Sequence, residues 1–267
     1  MTPGRFMRHL AAALLPMLAA PAAWAALTFS GSQGTLSASA SFEIVGGKLQ
    51  VVLTNTSAND ALVPSDLLSG VYFNLAGGAG QLTPFSATAG GITYLNGAQK
   101  DAFSVAGQNV GGEWDYEAIS HASLPGLNAG ISSSGVGSIW DQPGFGGPNL
   151  GGPIVVDGMQ YGITSAGDNV ATGNNGLLDN EITKNSVIFL LDIANGFSLS
   201  SISNVTFQYG TSLEQPRYTA GPPTSGPPGV PAPATLLLVA LAAACGWQVR
   251  RSRGARASGA LAPLMPA

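Results

Sequence analysis

The 267-residue chain is long enough for one large β domain or two small ones; only 9% of it is charged, and 37 glycines and 18 prolines punctuate it without the unbroken bias of collagen or a disordered tract. All fourteen acids but only Lys48, Lys100, Lys184 and Arg217 lie between the two ends, so the formal charge of −4 conceals a middle with four cations against fourteen anions, a net of −10. Such a middle excludes nucleic acid, whose phosphates need clustered Lys and Arg, and leaves cations or neutral glycans; with Cys245 as the one cysteine, it also excludes an intrachain disulfide or a cysteine-based metal site.

Arg5 and Arg8 precede an apolar run from Leu10 to Trp24, which ends in the small-x-small pattern Ala23-Trp24-Ala25. This order predicts a secretory signal peptide over 1–25, engaged by the general secretion machinery and cut by signal peptidase, with the mature chain starting near Ala26. The run is apolar all round and lacks a helix cap, unlike an amphipathic helix of a mature fold.

From Gly34 to Leu53 the pattern alternates. Leu36, Ala38, Ala40, Phe42 and Ile44 interleave with polar residues, Gly46-Gly47 offers a two-residue turn, and Leu49, Val51 and Leu53 resume the period, which predicts a β-hairpin with one face on a core. Pro64 and Ser65 open a single helical turn before a strand at Val71–Leu75. Ser186–Ile193 is almost continuously apolar, as expected of a strand covered on both faces, and Ile202–Tyr209 reads as a strand with Val205, Phe207 and Tyr209 on one face and Thr206 and Gln208 on the other. Short strands separated by Gly and Asn turns predict an all-β fold over 26–218, an antiparallel β-sandwich with the jelly roll as its nearest variant. The stretch 126–158, with Trp140 and Phe145, reads as a long Gly/Ser/Pro loop system.

Within this domain Glu113-Trp114-Asp115-Tyr116-Glu117 draws attention, because an extended backbone would set three carboxylates on one face and two aromatics on the other. The spacing resembles the Glu-x-Asp-x-Glu signature of the laminarinase-like glycoside hydrolases. That resemblance implies a glycoside hydrolase with Glu113 as nucleophile, Asp115 as its partner and Glu117 as acid/base. The competing reading is an acidic, solvated strand face with Trp114 and Tyr116 in the core. Asp168, Asp179 and Glu181 lie in an oxygen-rich loop with Gly173 and Asp179 at places six and twelve, which makes calcium the candidate ion, against a polar turn. His121 is the one histidine left after signal removal and has no Gly-x-Ser-x-Gly partner, so it reads as a loop residue. Gly144–Gly151 has glycines for a phosphate cradle but no following Lys, and Trp140 and Tyr161 are candidates for sugar stacking or for the core.

The linker over 219–229 is rich in Pro and Gly and predicts an extended spacer. Ala234 to Val249 follows, 16 residues and about 24 Å as a helix, against the roughly 30 Å of a bilayer core. Read by span and charge alone, it is a short transmembrane helix with Arg250, Arg251 and Arg253 on the cytoplasmic side. The fold expected is thus a sandwich flanked by an N-terminal signal helix and a C-terminal hydrophobic helix.

Val230-Pro231-Ala232-Pro233, the short apolar helix and the arginine cluster together resemble the C-terminal sorting domain of PEP-CTERM proteins, over 230–257, with Ala232 where the family has Glu and a disordered end at 258–267. The resemblance implies export in a Gram-negative bacterium, transient anchoring in the inner membrane, and processing by the membrane protease exosortase. It makes Val230, Pro231, Pro233, Arg250, Arg251 and Arg253 the sorting signal. A cell-surface or extracellular destination and association with exopolysaccharide and biofilm are also implied. The leading expectation is a non-catalytic exported sandwich, with a glycan-binding module and a glycosidase as the alternatives.

Overall fold

The computed structural model describes residues 26–101, 104–134, 149–151, 156 and 158–225. The expected signal peptide, including Ala23 and Ala25, and the expected sorting tail, including Val230, Pro231, Pro233, Arg250, Arg251 and Arg253, lie outside the described residues, as do Trp140 and Phe145. Among the described residues no helix is long and apolar enough to cross a membrane.

The domain is an all-β sandwich. Its strands are β1 (Leu27–Gln33), β2 (Leu36–Val45), β3 (Lys48–Asn55), β4 (Leu68–Leu75), β5 (Leu82–Ala89), β6 (Thr93–Leu95), β7 (Ala98–Gln99), β8 (Asp115–Ala118), β9 (Ala129–Ser132), β10 (Gly162–Thr164), β11 (Ile182–Lys184), β12 (Ser186–Ile193), β13 (Ile202–Tyr209), β14 (Arg217–Thr219) and β15 (Thr224–Ser225). One sheet runs β15-β1-β2-β3-β12-β5 and the other β14-β13-β4-β10-β11-β6-β7, with β9 also on β4 and β8 on β9. Among these pairings only β10 with β11 is parallel.

The hairpin of β2 and β3 forms because both halves alternate and because Gly46 and Gly47 accept φ of 58° and 79°, the paired left-handed turn whose twist matches the strands. Across the first sheet the inward residues register in rows, Phe29–Ala40–Leu53–Val187–Ala89 and Leu27–Phe42–Val51–Phe189–Ala87. The sizes vary along each row, which leaves room for rings from the facing sheet. Phe42 uses that room: its ring meets Phe29 at 5.8 Å and Phe73 of β4 at 5.6 Å, both edge to face, and Phe73 stacks on Tyr116 at 6.4 Å.

Two strands exchange the surroundings expected of them. In β12, Val187, Phe189 and Leu191 are buried while Ile188, Leu190 and Ile193 are half-buried, so a run apolar on both faces is fully covered on only one. In β13, Thr206 and Gln208 are as buried as Val205, Phe207 and Tyr209, because the returning chain after Tyr209 folds back over the outer face and Gln208 Nε2 donates to Ser212 O at 3.0 Å. Asn204, at φ 52°, sits where the register with β4 shifts.

The domain also runs past its expected end at Arg217–Tyr218. β14 lies on β13, Gly221 N donates to Ser30 O at 2.9 Å, and β15 pairs with β1 in the other sheet, Leu27 opposite Ser225. Pro222 and Pro223 lack N–H donors, yet they occupy only the crossing between sheets, and Thr224 and Ser225 resume pairing beyond them. The segment straps the two sheets together.

Candidate functional site

The acidic pentapeptide lies where a tight turn meets a short strand. Gly111–Glu113 is a 3-10 turn pressed so closely on Leu150 that a Cβ on Gly111 would sit 1.6 Å from the Leu150 carbonyl oxygen. Leu150 N donates to Trp114 O at 2.9 Å, and the Trp114 ring is buried against Phe189 at 5.0 Å. Tyr116 is buried too, its hydroxyl donating to Ala79 O at 2.8 Å. The aromatics therefore belong to the core. The turn takes Glu113 out of the strand, so the three-carboxylate face reduces to Asp115 and Glu117, about 7 Å apart along β8.

Asp115 is 1% exposed; Oδ1 accepts the Tyr116 amide at 2.7 Å and Oδ2 is buried without a partner among the described residues. Burial raises its pKa to about 7, the Tyr116 amide opposes that, and the nearby Glu117 charge adds to it. Burial also raises Glu117. Asp115 thus holds a proton near neutrality, the property of a general acid. Retaining glycoside hydrolysis, however, sets two carboxyls about 5 Å apart on either side of a bond, whereas these two stand side by side on one strand.

The residues expected to hold calcium do not meet. Asp179 caps the exposed C-terminal end of a single helical turn, α1 (Asn175–Leu178), which Asn174 Oδ1 starts by accepting from Leu177 N at 3.1 Å. Glu181 pairs with Lys100 Nζ at 2.9 Å, and Lys100 also donates to the Tyr161 hydroxyl at 2.9 Å. Burial works against the Lys100 ammonium, but these two partners outweigh it and hold its pKa up at about 12. Asp168 alone turns inward, 2% exposed. Among the described residues no three His, Cys, Asp or Glu side chains gather as metal ligands. His121 Nδ1 accepts the Ser123 amide at 3.1 Å, closing a local turn, and Tyr161 is half-buried with its ring on the main core.

Asp168 instead joins two loops. Its Oδ1 accepts Ala61 N at 2.8 Å, and reciprocally Asp60 Oδ1 accepts Asn169 N at 2.9 Å. Asp66 Oδ2 accepts Leu62 N at 2.9 Å and Val63 N at 3.1 Å, shaping the same loop. Between the chain leaving β3 and the chain leaving β10 lies a cleft of about 250 Å³ lined by Asn55, Ser57, Asp60, Asp66, Thr164 and Ser165, among others. None of the six stands out as a site residue in the sequence. The signal was the crowding of short polar side chains after Thr54 and after Ile163, which says nothing until the two stretches are known to be neighbours. A second cleft, about 370 Å³, lies between β13 and the strap and is walled by Phe29, Val205, Pro222 and Pro223 with other residues.

Compared with known protein families, with curated proteins and with solved structures, the chain matched none.

Proposed function

We propose that this chain is an exported protein of a Gram-negative cell surface or extracellular matrix, carrying a non-catalytic β-sandwich and sorted by an exosortase through its PEP-CTERM-like tail. The general secretion machinery delivers it, signal peptidase cuts after Ala25, and the exosortase acts near Pro231 and Pro233 while the apolar run holds the chain in the inner membrane. The sandwich then reaches the exterior, in association with exopolysaccharide and biofilm.

The observation that supports this reading is the pairing of Leu27 with Ser225. The signal peptide joins the domain two residues before Leu27, and the linker leaves it directly after Ser225, so both membrane-directed segments attach at one edge of the sandwich. A domain arranged in this way can pass from one tether to the other without turning over. The core placement of Trp114 and Tyr116, and the side-by-side Asp115 and Glu117, favour the non-catalytic reading over hydrolysis by Glu113 and Glu117.

Mass spectrometry of the surface-located protein from its native host tests both ends at once. The expected mature form begins at Ala26 and lacks Arg250, Arg251 and Arg253. A surface form that retains those arginines refutes proteolytic sorting, and one that retains residues 1–25 refutes signal cleavage.

A further inference from the structure

We propose that the cleft between the chain leaving β3 and the chain leaving β10 binds a calcium ion together with part of its water shell. Several oxygen atoms at this place have unmet hydrogen-bonding capacity. Thr164 and Ser165, 1% and 4% exposed, line the cleft, and the Thr164 Oγ1 and Ser165 Oγ atoms are buried with no hydrogen-bond partner among the described residues. Asp168, which closes the turn beginning at Ser165 and stands behind the lining rather than in it, has its Oδ2 in the same state. A buried carboxylate oxygen only accepts, and leaving it without a donor or a cation costs free energy that an ordinary loop has no reason to bear.

Charge narrows the occupant. Asp60 and Asp66 line the cleft and Asp168 is hydrogen-bonded to Ala61 on its wall, while no Lys, Arg or His is among the lining residues and none of the three acids forms an ion pair among the described residues. An anion is repelled from such a place. A sugar would find hydroxyl partners but no aromatic face, since no Phe, Tyr or Trp lines the cleft among the described residues. A hard cation finds what it needs, namely carboxylate, hydroxyl and amide oxygens held in place. Each carboxylate is fixed by a backbone amide on the opposing loop or on its own, as in Asp60 to Asn169, Asp168 to Ala61 and Asp66 to Leu62 and Val63.

Size and ligand count set the mode of binding. A water occupies about 30 Å³, so a cleft of about 250 Å³ takes an ion with several waters. Among the described residues no three acidic side chains converge, so one or two carboxylates bind directly and hydroxyls, amide oxygens and water complete the shell. Such a set belongs to the weak class of calcium sites, with a dissociation constant of about 10⁻⁴–10⁻³ M.

The test uses the full chain in detergent, stripped with EDTA and titrated with calcium chloride by calorimetry and by thermal unfolding, with magnesium chloride in parallel. Saturable calcium binding in that range is expected, with a rise in Tm and weaker binding of magnesium. Asp60→Asn, at a carboxylate that lines the cleft, weakens binding at least tenfold. Because that change also touches a loop contact, Thr164→Val serves as the second variant: it keeps the calcium-free Tm and weakens binding, while Asp179→Asn leaves the affinity unchanged. No saturable signal up to 10 mM calcium overturns the proposal. So does undiminished binding in both Asp60→Asn and Thr164→Val, or loss of binding in Asp179→Asn.

Discussion

Asp115 shows how one side chain couples the fold to pH. Its carboxyl titrates near pH 7 in the folded chain, against an ordinary value of 3.8, because burial disfavours the anion. The folded state therefore binds the proton more tightly than the unfolded state, so the contribution to stability is complete below about pH 4 and is lost as pH rises through 7. In Asp115→Asn the fall in urea midpoint between pH 5 and pH 8 is expected to be shallower than in the parent; identical slopes would show that the carboxyl does not sense the fold. The sequence displayed this residue but not its state. Alternation predicted that Asp115 and Glu117 share a face, and they do, whereas the depth at which Asp115 sits depends on what packs against β8, which no local pattern records.

Among the elements, the β2–β3 hairpin was the most legible, since its period and its turn lie in one contiguous stretch. Gly47 holds φ at 79°, a region where a side chain costs about 1–2 kcal/mol. Gly47→Ala is expected to lower stability by about that amount in denaturant titration without changing the β2–β3 register. A neutral result would mean that the turn relaxes freely. β12 and β13 were less legible for a physical reason: composition tells how greasy a face is, not what lies over it. Ile188 and Leu190 are only half-buried despite their apolar chemistry, while Thr206 and Gln208 are buried because the chain after Tyr209 doubles back over them. The cleft at Thr164 and Ser165 was illegible for a related reason. Its two walls are stitched by hydrogen bonds between residues more than a hundred positions apart, Asp168 to Ala61 and Asp60 to Asn169.

For the whole molecule, closure falls to the final strands. Tyr218 packs between Phe207 at 5.7 Å and Tyr209 at 6.0 Å, and β15 covers the edge of β1. A chain ended after Pro216 loses this ring and both strands, and is expected to unfold at least about 3 kcal/mol more easily than one ended after Ser225, judged from urea midpoints. Equal midpoints would make the strap dispensable. The all-β class and the sandwich were readable from turn spacing, but the strap was not, because its prolines advertise a spacer and only the pairing of Gly221, Thr224 and Ser225 reveals a structural role. Strand partners far apart in sequence, as in Thr54 with Ser186 and Leu27 with Ser225, also place this domain among slow folders.

The strap carries a mechanical consequence. Traction applied through the residues after Ser225 meets β15 first, and the two residue pairs that bind it to β1 open one after the other, like a peeled seam. The slack gained lengthens the C-terminal connection, and the next contacts in line are Gly221 with Ser30 and β14 on β13, not the rows of Phe, Leu and Val across the first sheet. The fold is thus built to give at its last few residues before its interior is strained.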